Sequence, residues 1–262
     1  MGPIALLTDF GHQDAYVGVL HGVIASIAPE VRVVDLCHEV RPQAVAEAGF
    51  LLATSAPYFP SSTVFVAVVD PGVGSERQIL CARTQRGVFL APDNGLLSEV
   101  LAQEDLLELV AVTQRELFLP KVSQTFHGRD VFAPVAAHLA LGQSLSGLGP
   151  SLTAYERLPL EAPEIGVEEA RGTIRYVDRF GNLVSSIRAR GLPKVAEALL
   201  GEARVQGPLR TSYVAVEAGQ ALLIEGSSGF VEVSINGGDA ARMLNSQVGA
   251  TLRLTFEAGG QS

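Results

Sequence analysis

The sequence predicts an α/β fold, with an N-terminal α/β domain that has a mostly parallel central sheet and a smaller C-terminal β-barrel domain. Two observations support this fold class. In the first half, strand-like apolar runs alternate with helix-like segments, as in parallel sheets covered by helices. In the last third, short strand-like runs follow one another between Gly-rich turns, as in small barrels.

The N-terminal domain is placed at residues 1–158 and contains the clearest alternation of strands and helices. The run at 62–70 is built from β-branched and apolar residues, as expected for a central parallel strand. Helices are predicted at 14–28 and 44–56, each stopped by a proline, and at 130–141. The predicted strands of this domain are 3–8, 31–36, 62–70, 79–84, 87–91 and 106–112.

A segment rich in Gly, Pro, Ser and Glu leads into a predicted linker at 159–169, and the C-terminal domain follows at 170–262. Short helices are predicted near 193–200 and 239–245. The predicted strands of this second domain are 171–177, 183–188, 203–206, 211–216, 221–225, 229–235 and 250–256.

Composition argues against several classes of protein. Hydrophobic residues make up 47% of the 262 residues, which allows a packed core, and the net charge of −9 disfavours nucleic-acid binding. No apolar run is long enough to span a membrane, no basic segment starts a signal peptide, and no Cys/His cluster has zinc spacing. We therefore predict a cytoplasmic protein with two reduced cysteines, no metal, no cofactor, and no nucleic-acid or membrane partner.

Polar residues follow the predicted strands of the first domain, where open α/β sheets bind ligands. Asp9 follows the first strand and Asp14 precedes the first helix. Their carboxylates could accept hydrogen bonds from a ribose diol or pair with an ammonium group. A turn-forming role for Asp9 and helix capping by Asp14 remain alternatives.

Two further motifs in this domain contain candidate catalytic residues. Asp70 and Arg77 flank the glycine-rich turn of VVDPGVGSER, and His127 lies in TFHGRD before a helix. Taken singly, DPG is also an ordinary turn signal, and a lone histidine more often serves packing than catalysis. In PDNG, Asp93 and Asn94 either line the cleft or cap a helix.

The second domain offers polar and aromatic groups in two motifs. In DRFGN, Asp178, Phe180 and Asn182 supply an anion, an aromatic face and an amide, which suit an amine, a flat base and its polar edge. The stretch EGSSGFVEVSINGG adds the polar residues Ser227, Glu232 and Asn236. Hairpin turns at FGN and NGG explain the same residues structurally.

In this order, TDFG, VVDPGVGS, PDNG, TFHGRD, DRFGN and the SSG…E…N stretch resemble the S-adenosyl-L-methionine hydrolases, or SAM hydroxide adenosyltransferases, which are related to the fluorinase and chlorinase. Each string is weak alone, but the ordered set spans nearly the whole chain and is specific. The resemblance implies the two-domain fold described above and a homotrimer with sites between subunits.

The resemblance also implies roles for individual residues. Asp70, Arg77 and His127 match the water-handling trio of the family, and Asp9 matches the carboxylate that holds the ribose diol. Asp178 and Ser227 match positions at the methionine end, and Phe180 and Asn182 match positions at the adenine. The remaining expected substrate contacts are Asp14, Phe126, Tyr213, Glu232, Ile235 and Asn236.

The expected reaction is metal-free attack of water on C5′ of S-adenosyl-L-methionine, with adenosine and methionine as products. Two alternatives remain open: halide-dependent transfer that forms 5′-chloro-adenosine, and a non-catalytic adenosine or S-adenosyl-L-methionine sensor. By the resemblance, Asp70 stands where the fluorinase has a tyrosine, and its charge would repel a halide. A sensor would not require Asp70, Arg77 and His127 together.

Overall fold

The computed structural model describes residues 2–257 and divides the chain into two compact units, Met1–Leu160 and Glu161–Ser262. Each unit has its own sheet and its own hydrophobic core. Within residues 2–257, no helix is long and apolar enough to cross a membrane. The predicted linker at 159–169 contains some regular structure, namely the short strand Glu164–Ile165 and the first residue of the next strand.

The first unit contains a six-stranded sheet in the order β2-β1-β3-β5-β4-β6. β1 pairs in parallel with β2 and β3, and β3 with β5, whereas β4 is antiparallel to both β5 and β6. Among these six strands only β4 therefore runs antiparallel to the others. The sheet, which was predicted to be mostly parallel, is a mixed sheet with one reversed strand. The strands are β1 (Ile4–Thr8), β2 (Val33–Cys37), β3 (Val64–Val68), β4 (Ile79–Thr84), β5 (Val88–Pro92) and β6 (Leu106–Ala111).

The reversed direction of β4 keeps residues 69–78 at one edge of the sheet. β3 ends at Val68 and β4 begins at Ile79, and the two strands run in opposite directions on either side of β5. The connection therefore passes over the end of β5. A connection between two parallel strands would instead have to run back along the length of the sheet. Asp70 and Arg77 consequently lie at the same edge.

Helices cover both faces of this sheet: α1 (Tyr16–Ile27), α2 (Val45–Ser55), α3 (Ser98–Gln103) and α4 (Ala133–Ala140). Alternate residues of β1 belong to two different core clusters, because successive side chains of a strand point to opposite faces. Such two-sided burial explains why these strands are apolar throughout. The helix predicted at 130–141 begins with a π-helical turn, Gly128–Phe132, directly after His127.

The second unit is an antiparallel, nearly closed barrel with the strand order β11-β10-β14-β8-β9-β13-β12, and β7 pairs with β8. Arg210, just beyond β11, forms a bridge with Ile224 of β12. This unit also contains α5 (Ala240–Met243). Its strands are β7 (Glu164–Ile165), β8 (Glu169–Val177), β9 (Leu183–Arg188), β10 (Val195–Leu200), β11 (Ala203–Gln206), β12 (Ala221–Glu225), β13 (Phe230–Ile235) and β14 (Thr251–Phe256).

Two predicted elements of this unit are wrong. The helix expected near 193–200 is strand β10, because hydrogen bonding to β11 and β14 on both sides outweighs the helix propensity of its Ala and Leu residues. The strand expected at 211–216 is a loop with a 3₁₀ turn at Tyr213–Ala215. Its apolar side chains are exposed, with Val214 82% accessible, so burial does not reward an extended conformation there.

The aromatic centre of the first sheet gives a stability prediction. The rings of Phe65 and Phe89 are fully buried and stack with centroids 4.8 Å apart. Phe89→Ala should lower the free energy of unfolding by about 3–5 kcal/mol, measured by urea denaturation, because the cavity cannot close completely. Tyr58 is 78% exposed, so Tyr58→Ala should change stability by no more than about 0.5 kcal/mol. Equal effects of the two variants would contradict this assignment of the core.

Candidate functional site

The side chain of Arg77 joins Asp70 to His127. Its Nε donates to Asp70 Oδ1 and Oδ2 at 3.1 and 3.0 Å, and its Nη2 also donates to Oδ2. The same Nη2 lies 2.9 Å from Nδ1 of His127. The side chains of Asp70 and Arg77 are only 5% and 10% exposed, so these charge-assisted bonds are little weakened by solvent. Three residues from two loops thus form one connected group.

The bond from Arg77 fixes the protonation pattern of His127. A guanidinium can only donate, so Nδ1 of His127 must accept, and the proton of the neutral ring lies on Nε2. Burial, followed by the positive charge of Arg77, lowers the pKa of His127 against the opposing charges of Asp70 and Asp130. His127 is therefore a neutral imidazole with its Nδ1 lone pair already used.

The loop that carries Asp70 and Arg77 is held by local backbone constraints. Gly74 has a φ of +78°, and a Cβ at this position would overlap the carbonyl oxygen of Gln124. Asn94 Nδ2 donates to the carbonyl of Val69 at 2.9 Å and so fixes the start of the loop. Asn94 supports this loop and does not cap α3, whose N-cap is Leu97.

The loop that carries His127 is organised by Asp130, a side chain that is 1% exposed. Its carboxylate accepts the N–H of Ser123 at 2.8 Å and is paired with Arg129 at 2.6 Å. Gly128 allows close packing, because a Cβ there would lie 3.1 Å from the ring of Phe10. Arg129 and Asp130 therefore serve structure, and they set the backbone from which His127 projects.

Asp70 and His127 border a cavity of about 310 Å³ at the carboxyl ends of β1 and β3. Asp9 and Phe126, two predicted binding residues, also line it, together with Phe10 and Gln43. Arg77 lines a neighbouring cavity of about 420 Å³, and His127 borders both. The structure thus brings Asp9, Asp70, Phe126 and His127 to one cavity. Arg77 lines the neighbouring cavity and is bonded to Asp70 and His127.

Asp9 is oriented by the backbone of the loop after β2, since its Oδ2 accepts the N–H of Gln43 at 2.9 Å. Phe10, Tyr16 and Phe126 form an aromatic group beside it, with ring centroids 5.0–6.0 Å apart. The sequence reasoning missed Phe10, Tyr16 and Gln43. Phe10 could have been found from its place next to Asp9 in TDFG.

The structure does not bring Asp14 to this cavity. Asp14 is exposed, and α1 has Ala15 at its N-cap without a side-chain cap bond. Within residues 2–257, Asp14 therefore neither caps α1 nor lines this cavity. Asp93 also differs from expectation, because its Oδ1 accepts the N–H of Glu156 at 2.7 Å and does not cap a helix.

In the second unit, Asp178 organises the hairpin turn between β8 and β9. Its Oδ1 accepts the N–H groups of Phe180 and Asn182, each at 2.9 Å, and its Oδ2 accepts Asn182 Nδ2 at 2.8 Å. The ring of Phe180 is 76% exposed, whereas Asn182 is buried. DRFGN is therefore a turn, as the structural alternative held, and the ring of Phe180 remains accessible at its surface.

Glu232 is the most perturbed carboxyl group near this turn. It is 6% exposed and lies against Gly226, where a Cβ would overlap its carboxylate. Burial and then the negative charge of Asp178 raise the pKa of Glu232 to about 7, while the hydroxyl of Tyr213 opposes this shift. The structure thus places Asp178, Tyr213 and Glu232 close enough to interact electrostatically.

The other predicted residues of this unit are placed differently. Ser227 is exposed in the turn after Gly226. Ile235 is buried at the end of β13, and Asn236 uses its side-chain amide to donate to Val216 O at 2.8 Å.

Across residues 2–257, no group of three or more His, Cys, Asp or Glu side chains is arranged to hold a metal ion.

An α/β unit with a carboxylate–guanidinium–imidazole group at its sheet edge, together with an antiparallel barrel, defines a two-unit protein with a candidate active site in its first unit. The family models for the SAM hydroxide adenosyltransferase N-terminal and C-terminal domains match residues 4–149 and 172–253. The chain belongs to this family.

Its relatives include the (R)-S-adenosyl-L-methionine hydrolases of Salinispora tropica and Thermus thermophilus, at 37% and 38% identity. The matches cover 96% and 97% of this chain and 97% and 100% of those proteins. A fluorinase of Actinopolyspora mzabensis is 26% identical, with 96% of each chain covered. A crystal structure of an uncharacterised conserved protein from Thermotoga maritima is also similar, with a TM-score of 0.90, 36% identity, and coverage of 96% of this chain and 99% of that one.

The raised pKa of Glu232 predicts how stability depends on pH. Between pH 4.5 and about 7 the unfolded chain releases this proton while the folded protein retains it, so stability falls as pH rises through that window. Glu232→Gln should therefore gain about 3 kcal/mol over the parent protein at pH 8 and little at pH 4.5. Thermal unfolding at both pH values measures this, with the exposed Glu225→Gln as the control. A pH-independent difference between Glu232→Gln and the parent would contradict the assignment.

Proposed function

We propose that this chain hydrolyses S-adenosyl-L-methionine at C5′ to adenosine and L-methionine. The observation that carries the proposal is the convergence of Asp9, Asp70 and His127 on one cavity at the sheet edge, with Arg77 holding two of them together. The hydrolase relatives match over nearly the full chain, so the two domains expected of such an enzyme are both represented. The chain is accordingly an enzyme, a hydrolase.

The sulfonium of the substrate is already a good leaving group, so the difficulty lies with the nucleophile. In the proposed step the oxygen of one water attacks C5′ in line with the sulfur. The C5′–S bond breaks, its electron pair stays on sulfur, and methionine leaves as a neutral thioether. One proton of the water must then be accepted by the protein or by solvent. Holding the water in line accounts for most of the rate, since positioning can contribute roughly 7–11 kcal/mol.

We assign the proton to Asp70. The lone pair of His127 Nδ1 is used by Arg77, so the imidazole acts as a donor and not as the base. Asp70 borders the cavity and, as a carboxylate, has more acceptor sites than its bonds to Arg77 occupy. Arg77, which lines the neighbouring cavity, acts as a positioning residue that holds the carboxylate and the imidazole in register.

The remaining contacts follow from the resemblance and are part of the proposal. Asp9 accepts the ribose diol, Phe126 flanks the nucleoside, and Asp178 with Ser227 holds the methionine end. Phe180 and Asn182 recognise the adenine. Glu232, Tyr213, Ile235 and Asn236 complete the substrate contacts. Asp14 remains among the proposed substrate contacts, although it is exposed and does not line this cavity.

We further propose that the reaction uses no metal or cofactor, that the chain forms a homotrimer, and that it binds no nucleic acid. A cytoplasmic location, expected from the sequence, belongs to the same proposal. Light scattering of the purified protein tests the trimer, and activity in the presence of a chelator tests the metal-free reaction. Loss of activity with the chelator, restored by added metal, would contradict the proposed mechanism.

The reaction itself is tested in ¹⁸O-labelled water, with mass spectrometry of the adenosine product. Label on the 5′-oxygen is expected, because the attacking water supplies that atom. The same incubation in chloride distinguishes the halide-dependent alternative, which predicts 5′-chloro-adenosine. Thermal stabilisation by S-adenosyl-L-methionine without methionine release over hours would instead identify a sensor.

Substitutions of Asp9 and of two members of the trio give the second prediction of function. Asp70→Asn keeps the shape but removes the base, and it should lower kcat by about 10²-fold or more. Arg77→Lys should also lower kcat, because a single ammonium cannot reproduce the bonds to both partners. Asp9→Ala should mainly raise KM. Release of methionine under saturating and limiting substrate measures these effects, and retention of full activity by all three variants would refute the site.

The pH dependence of kcat gives the third. Because burial and Arg77 lower the pKa of His127, its neutral form predominates through the neutral range. Activity should fall only at a pH below 6.5, the ordinary pKa of histidine. There a second proton would bind to Nδ1 of His127, and this N–H would face the N–H donor of Arg77. An acid limb centred above pH 6.5 that His127→Gln abolishes would contradict this assignment.

A further inference from the structure

A line of polar side chains lies beneath the cavity, separate from the trio. Thr8 ends β1 and His38 follows β2, and both are buried, at 0% and 2% exposure. Thr8 Oγ1 is 2.8 Å from His38 Nδ1, and His38 Nε2 lies 3.0 Å from Oδ1 of Asp35. His21 Nε2 reaches the same carboxylate oxygen at 2.7 Å. The proposed chemistry uses none of these groups, so the burial of His38 needs another explanation.

The charge of Asp35 sets the direction of the hydrogen bond between Thr8 and His38. The carboxylate of Asp35 lies 3.0 Å from Nε2 of His38 and favours the ring proton on that nitrogen, so Nδ1 accepts from the Thr8 hydroxyl. The N–H of Phe10 donates to Thr8 Oγ1 at 3.2 Å. Burial lowers the pKa of His38 although Asp35 opposes this shift, so the neutral ring is favoured. The hydrogen bonds therefore lead from the backbone of Phe10 through Thr8 to His38, and the Nε2 of His38 faces the charge of Asp35.

These groups fix the segment that forms one wall of the cavity. Asp9 and Phe10 follow Thr8 directly, and both line the cavity. The carbonyl of His38 accepts the N–H of Gly11 at 2.8 Å, so the two residues after Asp9 are bonded to Thr8 and His38 in turn. A shift of Thr8 would therefore move the carboxylate of Asp9 and the ring of Phe10 together.

We propose that Thr8 and His38 are positioning residues that set the affinity for the adenosyl group by holding Asp9 and Phe10 in place. The inference rests on the proposed function, which assigns the nucleoside to this cavity. The affected quantity is binding and not the chemical step, since the hydrogen bonds described above lead to Asp9 and Phe10 and not to Asp70, Arg77 or His127. Asp35 contributes by selecting the tautomer of His38.

The test compares Thr8→Val with Thr8→Ser. Valine keeps the shape but leaves the Phe10 N–H and His38 Nδ1 without their partner. It should raise KM for S-adenosyl-L-methionine and Kd for adenosine about tenfold, while kcat changes less than about twofold. Serine restores the hydroxyl and should return both constants to near the parent values. Calorimetry with adenosine measures Kd independently of turnover.

Thr63→Val is the matched control for stability. Thr63 is also fully buried, its hydroxyl donates to Pro60 O at 2.6 Å, and it directly precedes β3 at the sheet edge away from the cavity. This variant should lose stability in urea without any change in KM or Kd. If Thr8→Val loses stability but keeps the parent KM and Kd, the role of Thr8 is structural only and the proposal is overturned.

A second pair of variants covers the case in which Thr8→Val does not fold. Asp35→Ala removes the group facing His38 Nε2 at a half-exposed position, whereas His21→Ala removes the other partner of the same carboxylate. Asp35→Ala should raise KM and Kd severalfold, and His21→Ala should not. Equal effects overturn the proposal. If the parent protein binds adenosine but does not hydrolyse S-adenosyl-L-methionine, the proposed function fails while the Kd comparison still decides the inference. If it binds neither, both fail.

Discussion

The guanidinium of Arg77 determines the state of both residues it touches. It neutralises a carboxylate that is 5% exposed, which would otherwise be a costly buried charge. It also occupies one nitrogen of His127 and so selects the tautomer. Removing Arg77 would leave both other residues with unsatisfied polar atoms, and removing Asp70 or His127 would leave part of the guanidinium without its partner. The three residues are therefore one physical unit, although they come from two loops that are far apart in sequence.

The sequence was sufficient for most of the fold and for the identity of this unit. Apolar runs identified β1, β2 and β3, of which β1 and β3 are buried on both faces and β2 is only partly buried, and the ordered motifs with their family resemblance pointed to Asp70, Arg77 and His127. The direction of β4 could not be predicted, because periodicity reports burial and says nothing of strand orientation. The division of the trio between two cavities also depends on side-chain packing, which no local pattern encodes.

In the barrel unit, tertiary contacts overrode more of the predicted secondary structure than in the first unit. Residues 193–200 have helical composition but complete a sheet between two strands, whereas 211–216 have strand composition but form an exposed turn. The same holds for its polar residues. Asp178 accepts hydrogen bonds from its own turn, and Asn236 donates to Val216 in the loop before β12, whereas burial raises the pKa of Glu232 to about 7. Sequence alone therefore cannot separate a structural role of a polar residue in a turn motif from a ligand-binding one.

The single reversed strand of the first sheet has a consequence for how this protein can vary in length. Residues 69–78 hold two members of the trio and span the end of β5, so an insertion or deletion there would change the spacing between Asp70 and Arg77. The tight turn between β4 and β5 lies at the opposite edge and carries no group of the trio. Extra residues in that turn would add loop entropy at modest cost and leave the cavity intact. The two edges of one sheet therefore differ in their tolerance to changes in loop length.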